Sequence, residues 1–180
     1  MTSSGWYLVL VGAVALERLA ELVVSRRNAR WSFERGGIET GRGHLPAMIA
    51  LHAALLVACP VEVLVAGRPF VPALGWPMLA LVGAGQALRW WCVASLGPHW
   101  NTRVIVVPGA APVRRGPYRW ARHPWARHPN YVAGVVEGLA LPLVHTAWVT
   151  AIAFTLLNAL VLRARLRVEN AALASASASA

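Results

Sequence analysis

Apolar residues fall into five runs separated by shorter polar or basic stretches, covering residues 6–24, 46–66, 71–96, 130–144 and 147–166. About 20 apolar residues in a helix cross a hydrocarbon core of ~30 Å. All runs but the fourth come near that length, and each predicts a spanning helix. The fourth is short, which predicts a helix that tilts, is partly re-entrant, or begins in the basic stretch before it. A tight turn around Pro142 and Thr146 joins the last two runs as a hairpin. Gly134 and Gly138 lie four apart, on one helix face, where small residues let neighbouring helices approach. The expectation is an all-α, polytopic membrane protein with about five transmembrane helices. It forms one domain over residues 1–174, with N-terminal helices in 1–96 and a functional half in 97–174. The Ser/Ala tail 175–180 is expected to fray.

Composition strengthens this picture. The chain has 180 residues, 57% hydrophobic and 13% charged, against roughly 25% charged in soluble domains. Its net charge of +10 comes from arginine alone, because lysine and aspartate do not occur. A nucleic-acid binder carries such charge as a stripe on a soluble fold, whereas these arginines lie between apolar runs. Arg26, Arg27, Arg30, Arg35 and Arg42 follow the first run. Arg103, Arg114, Arg115, Arg119, Arg122 and Arg127 follow the third, and Arg163, Arg165 and Arg167 lie near the C-terminal end. The opposite side holds Arg68. The positive-inside rule then predicts an N-terminus outside, with the long loops and the C-terminus cytoplasmic. Trp6, Tyr7, Trp76 and Trp148 fall near the outer ends, as an aromatic belt would. The N-terminus lacks the basic region of a cleavable signal. Cys59 and Cys92 lie inside apolar runs and read as small buried hydrophobes.

Charged residues inside the runs need partners. Glu17 and Glu21 share a face of the first helix, and a pair with Arg89 is expected. Glu62 belongs near the outer interface, and His52 reads as an interhelical hydrogen-bonding residue. Glu137 has no cation nearby in sequence, so the arginines of the preceding loop are its expected partners. On the last helix, Asn158, Arg165 and Glu169 fall within roughly 40° of one another at ~100° per residue. That places a polar groove on one face, with Arg165 and Glu169 positioned as an i,i+4 pair.

The densest chemistry lies in residues 114–131, RRGPYRWARHPWARHPNY, where the pentamer WARHP occurs twice, at 120–124 and 125–129. His99, His123 and His128 lack the paired cysteines or close carboxylates of a zinc site, and no metal is expected. A Ser-His-Asp triad is excluded by the lack of aspartate, and no glycine-rich phosphate loop is present.

The sequence Gly116-Pro117-Tyr118-Arg119-Trp120, followed by Arg127-His128-Pro129-Asn130-Tyr131, resembles the isoprenylcysteine carboxyl methyltransferase family. Arg165 and Glu169 match that family's late Arg-x-x-x-Glu-Glu motif, and Asn170 stands where its second glutamate would be. The resemblance extends over about residues 96–173. It implies a helical membrane enzyme that takes S-adenosylmethionine from the cytoplasm, at a C-terminal cofactor site, and a lipophilic substrate from the bilayer. By the same resemblance, His128 and Tyr131 line the cofactor site, and Glu169 binds a polar part of the cofactor. Arg165 lies at the reaction centre, and Tyr118 and Arg127 form the pocket wall. Asn158 joins Arg165 and Glu169 as a catalytic candidate from its place in their stripe.

Further strings resemble a bacterial branch of the family: ERLAEL at 17–22, RRN at 26–28, HWNTRVI at 99–105 and LNAL at 157–160. Members of that branch look like O-methyltransferases of alkylpyrones or alkylresorcinols. They imply an inner-membrane location, contact with membrane lipids, no nucleic acid, and a functional link to a type III polyketide synthase. The alternatives are isoprenylcysteine carboxyl methylation, phospholipid N-methylation, a non-enzymatic membrane scaffold and, more distantly, a sterol-reductase-like enzyme. The family pattern has a single Arg-His-Pro. The second pentamer leads into Asn130-Tyr131 in register, so it is the expected working copy, with the first extruded as a loop.

Overall fold

The computed structural model describes residues 2–40, 44–111, 113–120 and 128–178. Five helices form where the runs predict them: α1 (Ser3–Phe33), α2 (His44–Val65), α3 (Pro72–Leu96), α4 (Pro129–Leu143) and α5 (Trp148–Ala178). Three of them, α3 together with the short turn that follows it, supply segments long and apolar enough to cross a membrane, at Leu45–Val65, Pro72–His99 and Trp148–Glu169. The expectation of about five such helices therefore meets two that differ. The apolar run of α1 is broken by the charged Glu17, Arg18 and Glu21, and α4, at 15 residues, is about 22 Å long at ~1.5 Å per residue. Leu16, Val57, Ile152 and Leu156 stand exposed on the helix surfaces, an apolar exterior suited to lipid. The chain is a mostly helical integral membrane protein.

The fold is not purely helical. β1 (Ile38–Thr40) pairs antiparallel with β2 (Val104–Val106), with Glu39 opposite Ile105. β-branched residues favour this pairing. The chain reaches β1 through a turn after α1 in which Gly36 adopts φ 74° and the Gly37 N–H bonds to the Ser32 carbonyl at 2.9 Å. A left-handed residue of this kind is a common way to end a helix. At the other end of the chain, α5 continues through Ala178, into the alanine-rich stretch.

The apolar core occupies one end of the bundle. Tyr7, Val11, Leu55, Cys59, Leu141, Val144 and Phe154 pack there. Gly138 lets α4 and α5 meet, since a Cβ at that position would lie 1.9 Å from the Phe154 ring. Glu62 closes this end by accepting from the Val149 N–H at 3.2 Å and from the Thr150 N–H at 2.7 Å, so it caps the start of α5. Arg68 holds the carboxylate at 2.8 Å. Glu62 ties α2 to α5, and Glu62→Ala will cost about 1–2 kcal/mol, the scale of a lost N-cap. Denaturant midpoints of the two proteins in one detergent check this.

Candidate active site

Directly beside this core the helices enclose a cavity of about 360 Å³. Leu19 and Leu22 of α1, Ile49 and Leu56 of α2, and Val161 and Leu162 of α5 make its apolar walls. Its polar border comes from Arg18 and Glu21, Arg89, the segment Trp100–Asn101–Thr102, Asn130 and Tyr131, and Asn158 and Arg165.

Pro129 occupies the first turn of α4, where its missing N–H costs nothing and its fixed φ suits the helix. This places Tyr131 in that first turn, with the His128 ring stacked on it at 5.2 Å and 19°. The Tyr131 hydroxyl accepts from Arg165 Nε at 2.7 Å and donates to Glu169 Oε2. The expected direct pair between Arg165 and Glu169 does not form among the described residues. A phenol offers one donor and an acceptor oxygen, and here it stands between the two. His128 Nδ1 lies 3.6 Å from Glu169 Oε1. Arg165 is 6% exposed, with its guanidinium carbon 5.0 Å from the Tyr131 ring centre and Nη1 2.8 Å from Met48 Sδ.

Tyr131, Arg165 and Asn158 thus border the cavity, while Glu169 and His128 join through Tyr131. Tyr118 stands behind them rather than on the cavity border, with its hydroxyl against the Cys92 thiol. Burial, then the neighbouring thiol, raises the Tyr118 phenol above its ordinary pKa. Gly116 permits this placement: at φ 57°, a Cβ there would meet Ser95 Oγ at 1.9 Å. Arg127 lies outside the described residues, as does most of the doubled pentamer.

The 97–103 segment is fastened to α1. Asn28 Nδ2 donates to the carbonyls of Trp100 at 2.8 Å and Gly97 at 3.1 Å. Ser25 Oγ donates to Asn101 Oδ1 at 2.8 Å and accepts from the Thr102 N–H at 3.0 Å. These bonds hold Trp100, Asn101 and Thr102 at the cavity border. Trp100 Nε1, Asn101 Nδ2 and Asn130 Oδ1 have no hydrogen-bond partner among the described residues. Among those residues, no group of three His, Cys, Asp or Glu is placed to hold a metal ion.

The charged helix interior is more connected than its sequence suggests. Glu137 bonds to Arg18, and to Arg89 at 3.1 Å, instead of the loop arginines expected for it. Arg89 also lies 3.4 Å from Glu21, as expected, and Arg18 bonds Glu21. Arg18, Glu21 and Arg89 also border the cavity, a role that their sequence positions alone do not reveal. The available signal was an arginine between two glutamates within an apolar run. His52 bonds the Met48 carbonyl of its own helix at 2.9 Å and also borders the cavity.

The isoprenylcysteine carboxyl methyltransferase family model matches residues 78–124 and 125–175. The two matched segments abut between Pro124 and Trp125, the junction of the pentamer copies, where a tandem duplication would break an alignment. The uncharacterized protein YpbQ of Bacillus subtilis (strain 168) is 35% identical over 168 residues, covering 93% of this chain and 96% of its own. No solved structure matches the chain. With the motif residues of both halves meeting at one cavity and the family match covering more than half its length, the chain belongs to the isoprenylcysteine carboxyl methyltransferase family and is a membrane methyltransferase.

Proposed function

We propose that this protein uses S-adenosylmethionine to O-methylate a long-chain, lipophilic small molecule such as an alkylpyrone or alkylresorcinol. The supporting observation is the cavity itself. It is polar around Tyr131 and Arg165 and apolar along α1, α2 and α5. Leu19 and Ile49 border it and are 59% and 44% exposed, so it opens sideways between α1 and α2. A molecule with a reactive head and a long tail fits that division and can enter from the bilayer. A type III polyketide synthase would supply such a molecule. The arginine distribution supports a cytoplasmic cofactor entrance, with the N-terminus outside and the C-terminus inside the inner membrane.

The residues present fit the cofactor. Trp100 Nε1 and Asn101 Nδ2, donors without a partner among the described residues, suit its carboxylate. Asn130 Oδ1 and the Glu169 carboxylate suit its hydroxyls and ammonium. When bound, the cofactor supplies a methyl group activated by a sulfonium. The protein's task is to hold an acceptor oxygen in line with that methyl and to exclude water. Arg165, its plane fixed by Tyr131, favours negative charge on the acceptor oxygen. Asn158 borders the cavity on the same helix and gives the acceptor head a further polar contact.

Purified protein in detergent, given methyl-labelled S-adenosylmethionine, should label an alkylpyrone or alkylresorcinol. It should leave phosphatidylethanolamine and a prenylated cysteine unlabelled. Labelling of either of the latter two alone would overturn the choice of acceptor. No calorimetric binding of S-adenosylmethionine to folded protein would favour a non-enzymatic scaffold.

A further inference from the structure

Three carboxylates and two guanidiniums are buried together beside the cavity. Arg18 bonds Glu21 and Glu137 and lies 3.7 Å from Glu17. Arg89 lies 3.1 Å from Glu137 and 3.4 Å from Glu21. Gln86 adds a neutral contact to Arg18 at 3.1 Å. When fully ionised, the cluster carries one negative charge in excess. A buried charge without a counterpart is costly, so the cluster requires either a nearby cation or a proton.

The three carboxylates are not equivalent. Glu137 is held by both guanidiniums, and Glu17 borders a separate crevice with Gln86 and Leu79. Glu21 is the one of the three that borders the cavity. It is 5% exposed, and its Oε1 has no hydrogen-bond partner among the described residues, only the ion contact with Arg89. His52 of α2 borders the same cavity, and so does Arg165 of α5, which is engaged by Tyr131.

We infer that Glu21 takes the hydroxyl proton of the methyl acceptor, and that the acceptor is a neutral hydroxyl of phenol-like acidity. This rests on the proposed methyl transfer. A lone pair of the acceptor oxygen forms the new O–C bond as the S–C bond breaks, leaving its electrons on sulfur. The O–H proton goes to Glu21. One positive charge on sulfur and one negative charge in the cluster disappear together, so the buried site gains no net charge. A phenol ionises near ~10 and needs such a base at neutral pH. An acceptor that is already ionised does not.

The test uses the full chain with Glu21→Gln and Glu21→Asp, each checked for folding by gel filtration and thermal unfolding. Calorimetry compares S-adenosylmethionine with its neutral demethylated product, S-adenosylhomocysteine. Glu21→Gln should lower the preference for the sulfonium about tenfold, the scale of one unit charge ~10 Å away at an effective dielectric of ~20. Its kcat on an alkylresorcinol should fall about 10²–10⁴-fold, the range for a lost general base, and recover as the pH approaches that of the phenol. Its rate on an alkylpyrone already ionised at the assay pH should fall far less. Glu21→Asp keeps the charge, so it should keep the affinity ratio while lowering kcat on the alkylresorcinol. That variant carries the test if Glu21→Gln does not fold. Unchanged alkylresorcinol turnover in a folded Gln variant overturns the role of Glu21 alone. Failure of the unaltered protein to label any acceptor overturns the proposed function, and this inference with it.

Discussion

Arg165→Lys will lower kcat/KM for methyl transfer about a hundredfold while the bundle remains folded. Arg165 uses Nε on the Tyr131 hydroxyl and Nη1 on Met48, and its guanidinium carbon lies 5.0 Å from the Tyr131 ring centre. A lysine keeps the charge but has neither the planar fork nor its fixed direction. Displacing a positioning group by ~1 Å costs about 10²-fold in well-aligned reactions. Tyr131→Phe should reproduce much of the loss, because it releases Arg165 and Glu169 together. Steady-state kinetics with calorimetric cofactor affinity separate lost binding from lost alignment. Wild-type turnover in Arg165→Lys would remove the guanidinium from the chemistry.

The largest loss of stability is expected from Arg89→Ala. Arg89 is 7% exposed and contacts two carboxylates on two different helices. Removing it leaves Glu17, Glu21 and Glu137 to share Arg18. Breaking a buried ion pair by removing one partner costs about 3–5 kcal/mol, whereas replacing both partners by apolar groups is often neutral. Arg89→Met combined with Glu137→Leu should therefore be more stable than Arg89→Ala alone. Reversible denaturation in a mild detergent measures both. An unchanged midpoint in Arg89→Ala would mean that the charge cluster contributes little to holding α1, α3 and α4 together.

Hydrophobic runs located the helices well, and α4 at Pro129–Leu143 lies within one residue of the run at each end. The first run stops at Val24, yet α1 continues to Phe33. Its last turns are polar because Ser25 and Asn28 face the 97–103 segment instead of lipid. The β1–β2 ribbon is not legible in the sequence because strands of three residues are too short to show alternation. At the site, the motif residues His128, Tyr131, Arg165 and Glu169 do converge. Their wiring through one phenolic oxygen depends on how α4 meets α5, which a linear spacing does not contain. Glu137 shows the same limit. Its nearest cations in sequence lie in the preceding loop, but its partners are 48 and 119 positions away.

Those separations bear on how the protein is made. α1 leaves the ribosome first, carrying Glu17, Arg18 and Glu21, while Arg89 follows in α3 and Glu137 only in α4. Charged residues near the middle of an inserting helix each oppose insertion by about 3 kcal/mol. The pairing of Arg18 with Glu21 on its own helix offsets part of that opposition from the start. The rest is relieved only when α3 and α4 arrive, and the cavity closes only when α5 delivers Arg165. The charge cluster is therefore complete once α4 is made, whereas the cavity waits for α5, so in the order of synthesis the pairing of the buried charges precedes the assembly of the site.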